Sequence, residues 1–232
     1  MFLDFDGTLV DIAERPDLVK IPAELLTTLQ GAHAQLGGAL AFISGRTIAN
    51  LDELVSPLRL PSAGVHGLEY RDNSGNMHPI QPDKIPLAAR DRLISIAAMD
   101  NGLILEDKGH SLAIHYRQSP DKEQFVRDEV ADIFSDLGPD FILQDGKMVL
   151  EVRPATASKG TAIGKFMSEE PFAGRIPVFI GDDITDEDAF RAVNEMQGYS
   201  VRVGAICQKS AARYTLPNVA AVHDWIAPLV LR

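Results

Sequence analysis

The sequence predicts an α/β fold: a doubly wound parallel sheet interrupted by an inserted α+β domain. Three observations predict it. Short apolar runs without alternation recur between helical patterns toward both ends of the chain, as expected for parallel strands buried on both faces. The middle of the chain reads instead as helix-strand-strand, twice over, with strands that do alternate. Proline-bearing stretches, "HPIQPDKIP" and "RPATAS", flank that middle and would serve as hinges. The predicted boundaries are 1–81 with 153–232 for the outer domain and 82–152 for the insertion.

The elements follow in chain order. "FLDF" reads as a buried strand. Pro22–Leu36 reads as a helix, because a first turn tolerates Pro22 and Leu25, Leu26, Leu29, Ala32 and Leu36 recur at helical spacing. "ALAFI" is the next strand, Thr47–Leu54 the next helix and "SAGV" a short strand. In the insertion, a helix over Ile85–Met99 precedes strands in "LILEDKG" and "SLAIHYR", and a helix over Asp121–Leu137 precedes "FILQ" and "MVLEV". "ASKGTAIGKFM" reads as a helix with Ala162, Ile163, Phe166 and Met167 on one face. "VFIG" (178–181), "YSVRV" (199–203) and "VAAV" (219–222) resume the buried strands.

The net charge of −11, from 22 basic and 33 acidic residues, argues against a nucleic-acid or anionic-membrane surface, which needs clustered Lys and Arg. Cys207 is the single cysteine, so no intramolecular disulfide forms, in keeping with a reducing compartment. No basic segment leads into a long apolar one at the N-terminus, and the apolar runs are too short to span a bilayer. The expectation is a cytoplasmic monomer acting on a small molecule.

Chemistry concentrates at strand ends. Asp4 and Asp6 stand at strand spacing, which places both on one side. "GDDITDED" follows "VFI" in the same way and brings Asp182, Asp183 and Asp186. In a doubly wound sheet the ligand crevice lies at the carboxyl ends of the strands, so these carboxylates converge if both strands are central. Such a cluster repels itself unless protons or a cation neutralise it, and oxygen-only donors suit Mg²⁺ better than zinc. For "TDED" a plain capping role competes, since acidic residues suit a first helical turn and Thr185 with Asp188 resembles a capping box. "DFDG" fails as an EF-hand start, because Gly7 follows the second Asp directly. Ser44, in "FISGRT", offers a hydroxyl beside the first amides of a helix, although Ser44 or Thr47 would also serve as its cap. Lys159 opens a helix, where a cation opposes the dipole by roughly 0.3–1 kcal/mol, which suggests an anion beside it, although a solvent-exposed lysine would also be tolerated.

"DFDGTL", "SGR", "SKG" and "GDDITDEDAF", in that order, resemble the four motifs of the haloacid dehalogenase-like (HAD) phosphatases, and "AGVHGLEYR" and "GKMVLEVRP" are similar to trehalose-6-phosphate phosphatases. The resemblance implies a Rossmann-like HAD core with a cap, and Mg²⁺-dependent hydrolysis of trehalose 6-phosphate. It implies that Asp4 is the nucleophile and Asp6 the general acid and base. Mg²⁺ would be held by Asp4, the Asp6 main-chain carbonyl and Asp182. Ser44 and Lys159 would hold the transferring oxygens, with Asp183 and Asp186 in support and Arg46 of "SGR" on the substrate. Another sugar phosphate is the alternative substrate. A catalytically silent sensor would be expected to lack the nucleophile or the lysine.

Alternation places Glu106 with Lys108 on one strand face and Lys147 with Glu151 on another. A solvated sheet face would look the same. The resemblance implies that Glu106, Lys108 and Glu151 grip sugar hydroxyls.

Overall fold

The computed structural model describes residues 1–13, 19, 21–79, 84–205 and 209–230. Cys207 and part of "HPIQPDKIP" lie outside the described residues. The chain divides into two units, Met1–Ile80 with Ser158–Arg232, and Gln81–Ala157.

The first unit is built on an eight-stranded sheet. Its strands are β1 (Phe2–Leu3), β2 (Ala41–Ile43), β3 (Ser62–Gly64), β4 (Glu69–Arg71), β5 (Met77–Pro79), β10 (Val178–Gly181), β11 (Tyr199–Val203) and β12 (Tyr214–Leu216), in the order β12-β11-β10-β1-β2-β3-β4-β5. From β12 through β3 the strands pair in parallel. The sheet grows outward from β1 in both directions, through β2 on one side and β10 on the other. The strand order therefore reverses at β1, which is where doubly wound sheets bind ligands.

Helices cover both faces. Leu25, Leu29 and Ala32 of α1 (Ala23–Gln35) and Val222 and Ile226 of α7 (Val219–Ile226) join Leu3, Phe42, Ile180 and Val201 in one core. Ala162, Ile163 and Phe166 of α5 (Lys159–Met167) and Ala189, Phe190 and Val193 of α6 (Glu187–Glu195) join Phe2, Ala41, Ile43 and Phe179 in the other. Alternate residues of each central strand thus feed opposite cores, which is why these strands read as unbroken apolar runs. Helix α2 (Ile48–Leu54) is capped by the Thr47 hydroxyl, which accepts from the amide of Asn50 at 3.2 Å.

Two features differ from the sequence reading. "VAAV", expected as a strand, begins α7: the Asn218 side chain accepts from the Ala221 amide, and Val222 and Ile226, four residues apart, bury one helical face. The sheet is also mixed, because β4 and β5 add an antiparallel edge. Their turn is closed by Asp72, whose Oδ1 accepts from the amides of Ser74 and Asn76, and by Gly75 at φ +84°.

The second unit contains α3 (Leu87–Ala97), α4 (Glu123–Ser135) and an antiparallel sheet of β6 (Ile104–Asp107), β7 (Leu112–His115), β8 (Phe141–Gly146) and β9 (Val149–Pro154), ordered β6-β7-β9-β8. Leu93 and Ile96 of α3 and Val126, Val130 and Ile133 of α4 pack with Leu112, Ile114, Leu150 and Val152. The alternate residues, Ala113, His115, Glu151 and Arg153, belong to the other sheet face. Strand β9 runs on to Pro154, and the Arg153 guanidinium bonds Gln144 and the carbonyl of Ala157, so "RPATAS" is in good part structured within this unit.

Candidate active site

Asp4 follows β1 and Asp182 follows β10, the strand paired beside it. The Asp4 amide donates to the Ile180 carbonyl at 2.9 Å, tying the two strand ends together. Lys159 opens α5 and is almost wholly buried. Its Nζ donates to Asp4 Oδ1 at 2.7 Å and to Asp186 Oδ1 at 2.6 Å. The anion expected beside this N-terminal lysine is therefore a pair of carboxylates. Helix α5 is held in place by a Ser158–Thr161 capping box and by the Gly160 amide donating to Asp188 Oδ2 at 3.1 Å.

Asp186 has both oxygens engaged. Oδ1 accepts from Lys159, and Oδ2 accepts from the amides of Asp182 and Asp183 at 2.9 and 3.0 Å. It folds back beneath the end of β10, where a Cβ on Gly181 would come within 2.4 Å of its Cγ. Asp186 thus orients Lys159 and the Asp182 backbone. The capping box here joins Asp183 with Asp186, in place of the Thr185–Asp188 pair that the sequence suggests. Asp183 Oδ1 accepts from the Ile184 amide.

Carboxylate oxygens of Asp4, Asp182 and Asp186 lie within 4.8 Å of one another. The Lys159 ammonium pairs with two of these three buried acids, Asp4 and Asp186. Burial pushes the Asp4 carboxyl well above its usual range, with Asp186 and Asp182 adding to the rise and Lys159 opposing it. Lys159 is held charged: burial works against its ammonium, but Asp186 and Asp4 together outweigh that and raise it. The surplus negative charge and the all-oxygen donor set fit a hard divalent cation. Asp186 already accepts three hydrogen bonds, two of them from backbone amides, which leaves Asp4 and Asp182, at the ends of neighbouring strands, as the side chains better suited to hold one.

The first strand ends sooner than "FLDF" suggests, before either Asp4 or Asp6. After Leu3 the chain turns, with the amides of Leu9 and Val10 donating to the Phe5 carbonyl and the Gly7 amide to the Val10 carbonyl. Asp6 is not among the carboxylates gathered within 4.8 Å of one another, which are Asp4, Asp182 and Asp186. The Asp6 carboxylate is gripped by Arg46, Nε to Oδ2 at 2.6 Å and Nη2 to Oδ1 at 2.7 Å, and Arg46 Nη1 also donates to Asn50. The fork of Arg46, expected on substrate, holds Asp6 in this conformation. Ser44 follows β2, buried, with its Oγ accepting from the Arg46 amide at 3.1 Å.

Two residues of "DFDGT" were not singled out as site residues from the sequence. Thr8 Oγ1 donates to Asp4 Oδ2 at 3.3 Å. Gly7 sits at φ +78°, and a Cβ there would lie 2.2 Å from Asp182 Oδ2. Gly7→Ala is expected to cost at least about 1–2 kcal/mol from the left-handed backbone alone, and more from displacing Asp182. Chemical denaturation measures the loss, and activity should fall with it.

In the second unit, Lys108 Nζ lies 3.0 Å from Glu151 Oε2 and 3.9 Å from Glu106 Oε2. The structure thus brings Glu106, Lys108 and Glu151 together. Lys147 departs from expectation: it lies in the turn ahead of β9, where its carbonyl accepts from Arg117 Nη2.

A doubly wound sheet bearing these strand-end carboxylates and this lysine, with a separate antiparallel unit inserted, has the fold of a phosphatase of the HAD superfamily. A phosphatase of the haloalkanoate (HAD) enzyme superfamily from Bacteroides thetaiotaomicron shares the fold at a TM-score of 0.64 and 15% identity, over 100% of this chain and 94% of that one. The C-terminal domain of a trehalose-6-phosphate phosphatase from C. albicans aligns at a TM-score of 0.88 and 23% identity, over 99% of this chain and 90% of that one. The trehalose-phosphatase family model matches residues 2–220. A trehalose-6-phosphate phosphatase from Escherichia coli is 43% identical, over 97% of this chain and 84% of the relative. A probable trehalose-phosphate phosphatase from Sinorhizobium fredii is 42% identical, over 100% of this chain and 87% of the relative. The chain belongs to the trehalose-phosphatase family. Among the described residues, no helix is long and apolar enough to cross a membrane.

Proposed function

We propose that this protein hydrolyses trehalose 6-phosphate to trehalose and phosphate in the cytoplasm, with Mg²⁺ as cofactor and a phosphoryl-Asp4 intermediate. The observation that carries the chemistry is the buried Asp4 carboxylate at a strand end, 2.7 Å from the Lys159 ammonium.

Phosphoryl transfer depends chiefly on positioning and on neutralising charge. Lys159, fixed by Asp186, offers its positive charge where the carboxylate must meet an anionic phosphate. Ser44, at the end of the neighbouring strand, supplies a hydroxyl donor for a phosphoryl oxygen. An Asp4 oxygen attacks phosphorus, and the bond from phosphorus to the sugar oxygen breaks. Asp6 gives that oxygen a proton. It then takes one from the water whose attack releases phosphate and regenerates Asp4. For this, Asp6 has to part from Arg46. A divalent ion bound by Asp4 and Asp182 would supply further charge neutralisation.

Sugar selection is assigned to Glu106, Lys108 and Glu151. The test is a panel of sugar phosphates and p-nitrophenyl phosphate, with and without Mg²⁺. Trehalose 6-phosphate should be strongly preferred and turnover should require the metal. Equal turnover of glucose 6-phosphate would refute the substrate. Glu151→Ala should lower kcat/KM for trehalose 6-phosphate by about 10–100-fold, the value of one or two hydrogen bonds to a charged group. The effect on p-nitrophenyl phosphate should be much smaller.

A further inference from the structure

Register across the second unit's sheet puts Glu106 opposite Ala113 and Ala113 opposite Glu151. Two acids on β6 and β9 thus flank a residue whose side chain is a single methyl. The middle strand bears no acid in this row, yet polar side chains at either end of it reach both carboxylates. Ser111, just ahead of β7 and fully buried, donates from Oγ to Glu151 Oε1 at 2.5 Å. His115, at the far end of β7, has Nε2 2.9 Å from Glu106 Oε2.

Glu151 is therefore held from two directions, by a hydroxyl on Oε1 and by the Lys108 ammonium on Oε2. The terminal torsion of a glutamate is broad when nothing restrains it. Two donors on different oxygens fix the plane of the carboxylate and with it the directions of its remaining lone pairs. A carboxylate so fixed accepts from hydroxyls in one arrangement and not in others. A freely turning one accepts from almost any polyol.

We propose that Ser111 and His115 are positioning residues for sugar recognition, which set the planes of Glu151 and Glu106 and so select the hydroxyl pattern of the substrate. This rests on the assignment of those two acids to sugar binding. Neither residue touches the reacting atoms. Both act through the acid that they hold.

The test uses the full chain with Mg²⁺ and compares kcat and KM for trehalose 6-phosphate with those for p-nitrophenyl phosphate. Ser111→Ala should raise KM for the sugar phosphate by about tenfold, as expected when one hydrogen bond to a charged group is lost, with little change in kcat. Ser111→Thr, which keeps the hydroxyl, should recover most of that loss. His115→Ala should raise KM in the same direction. A double-mutant cycle supplies the readout that a merely structural role would not move. In a Glu151→Ala background Ser111→Ala should have no further effect on KM, and likewise His115→Ala in a Glu106→Ala background. If the wild type is selective but the single variants leave KM within twofold, or if the losses add in full across the cycle, the positioning role is overturned while the substrate stands. If the wild type shows no preference for trehalose 6-phosphate over p-nitrophenyl phosphate, the substrate assignment falls and the positioning role with it.

Discussion

Asp4→Asn is expected to abolish turnover of every phosphate ester, by about 10⁴-fold or more, as for loss of a nucleophile in other enzymes that form covalent intermediates. The same change should stabilise the metal-free protein at neutral pH. Asp4 is buried among Asp182 and Asp186, and its carboxyl is raised well above the ordinary range in the folded state. An acid with a raised folded pKa binds its proton more tightly folded than unfolded. Stability accordingly falls as pH rises from about 3.9, the unfolded value, through the raised folded one, and stays reduced above it. Asparagine has no proton to lose and escapes this cost, while Lys159 keeps Asp186 as a partner. In chelator-treated protein the variant should therefore melt above the wild type at pH 8, with the gap closing toward pH 4. Surviving turnover would show that Asp4 is not the nucleophile. A lower melting point at pH 8 would show that the Lys159 pair outweighs the repulsion.

Lys159→Met should remove activity and cost stability as well. The ammonium is buried and bridges Asp4 and Asp186, so its loss takes from both buried acids the cation that they share. Breaking one side of a buried ion pair costs about 3–5 kcal/mol. Unfolding in urea without metal measures it. Adding Asp4→Asn to Lys159→Met should restore part of the loss, because one of the unpaired charges goes with it. If the double variant is no more stable than Lys159→Met, the cost comes from lost packing of the lysine stem and not from charge.

Much of this site was legible because its parts sit at strand ends, where unbroken apolar runs stop at a polar residue. The buried runs "ALAFI" and "VFIG" placed Ser44 and Asp182 by that rule, and a lysine in a first helical turn pointed to anions nearby. For Asp6 the period-two alternation lacks its footing, because it holds only while the strand continues. β1 ends at Leu3, and the Phe5 carbonyl then collects amides of the following turn. The partnership of Asp6 with Arg46 spans 40 residues, and no local pattern encodes it. "VAAV" misled for a different reason: four apolar residues fit either period, and the Asn218 cap and Ile226, which decide the matter, lie outside the run. The β4–β5 hairpin was not anticipated, because its strands are only three residues each and too short to show a period. Ser111 and His115 carried no signal, since each matters through a carboxylate on another strand.

In the proposed mechanism Asp4 receives the phosphoryl group, with Lys159 steadying its oxygens. A crystal structure with Mg²⁺ and beryllofluoride addresses it most directly. The expected result is a beryllofluoride adduct on an Asp4 carboxylate oxygen, with the Lys159 ammonium and the Ser44 hydroxyl against its fluorides and the metal between Asp4 and Asp182. An adduct on another carboxylate, or an untouched Asp4 under saturating beryllofluoride and Mg²⁺, would contradict it.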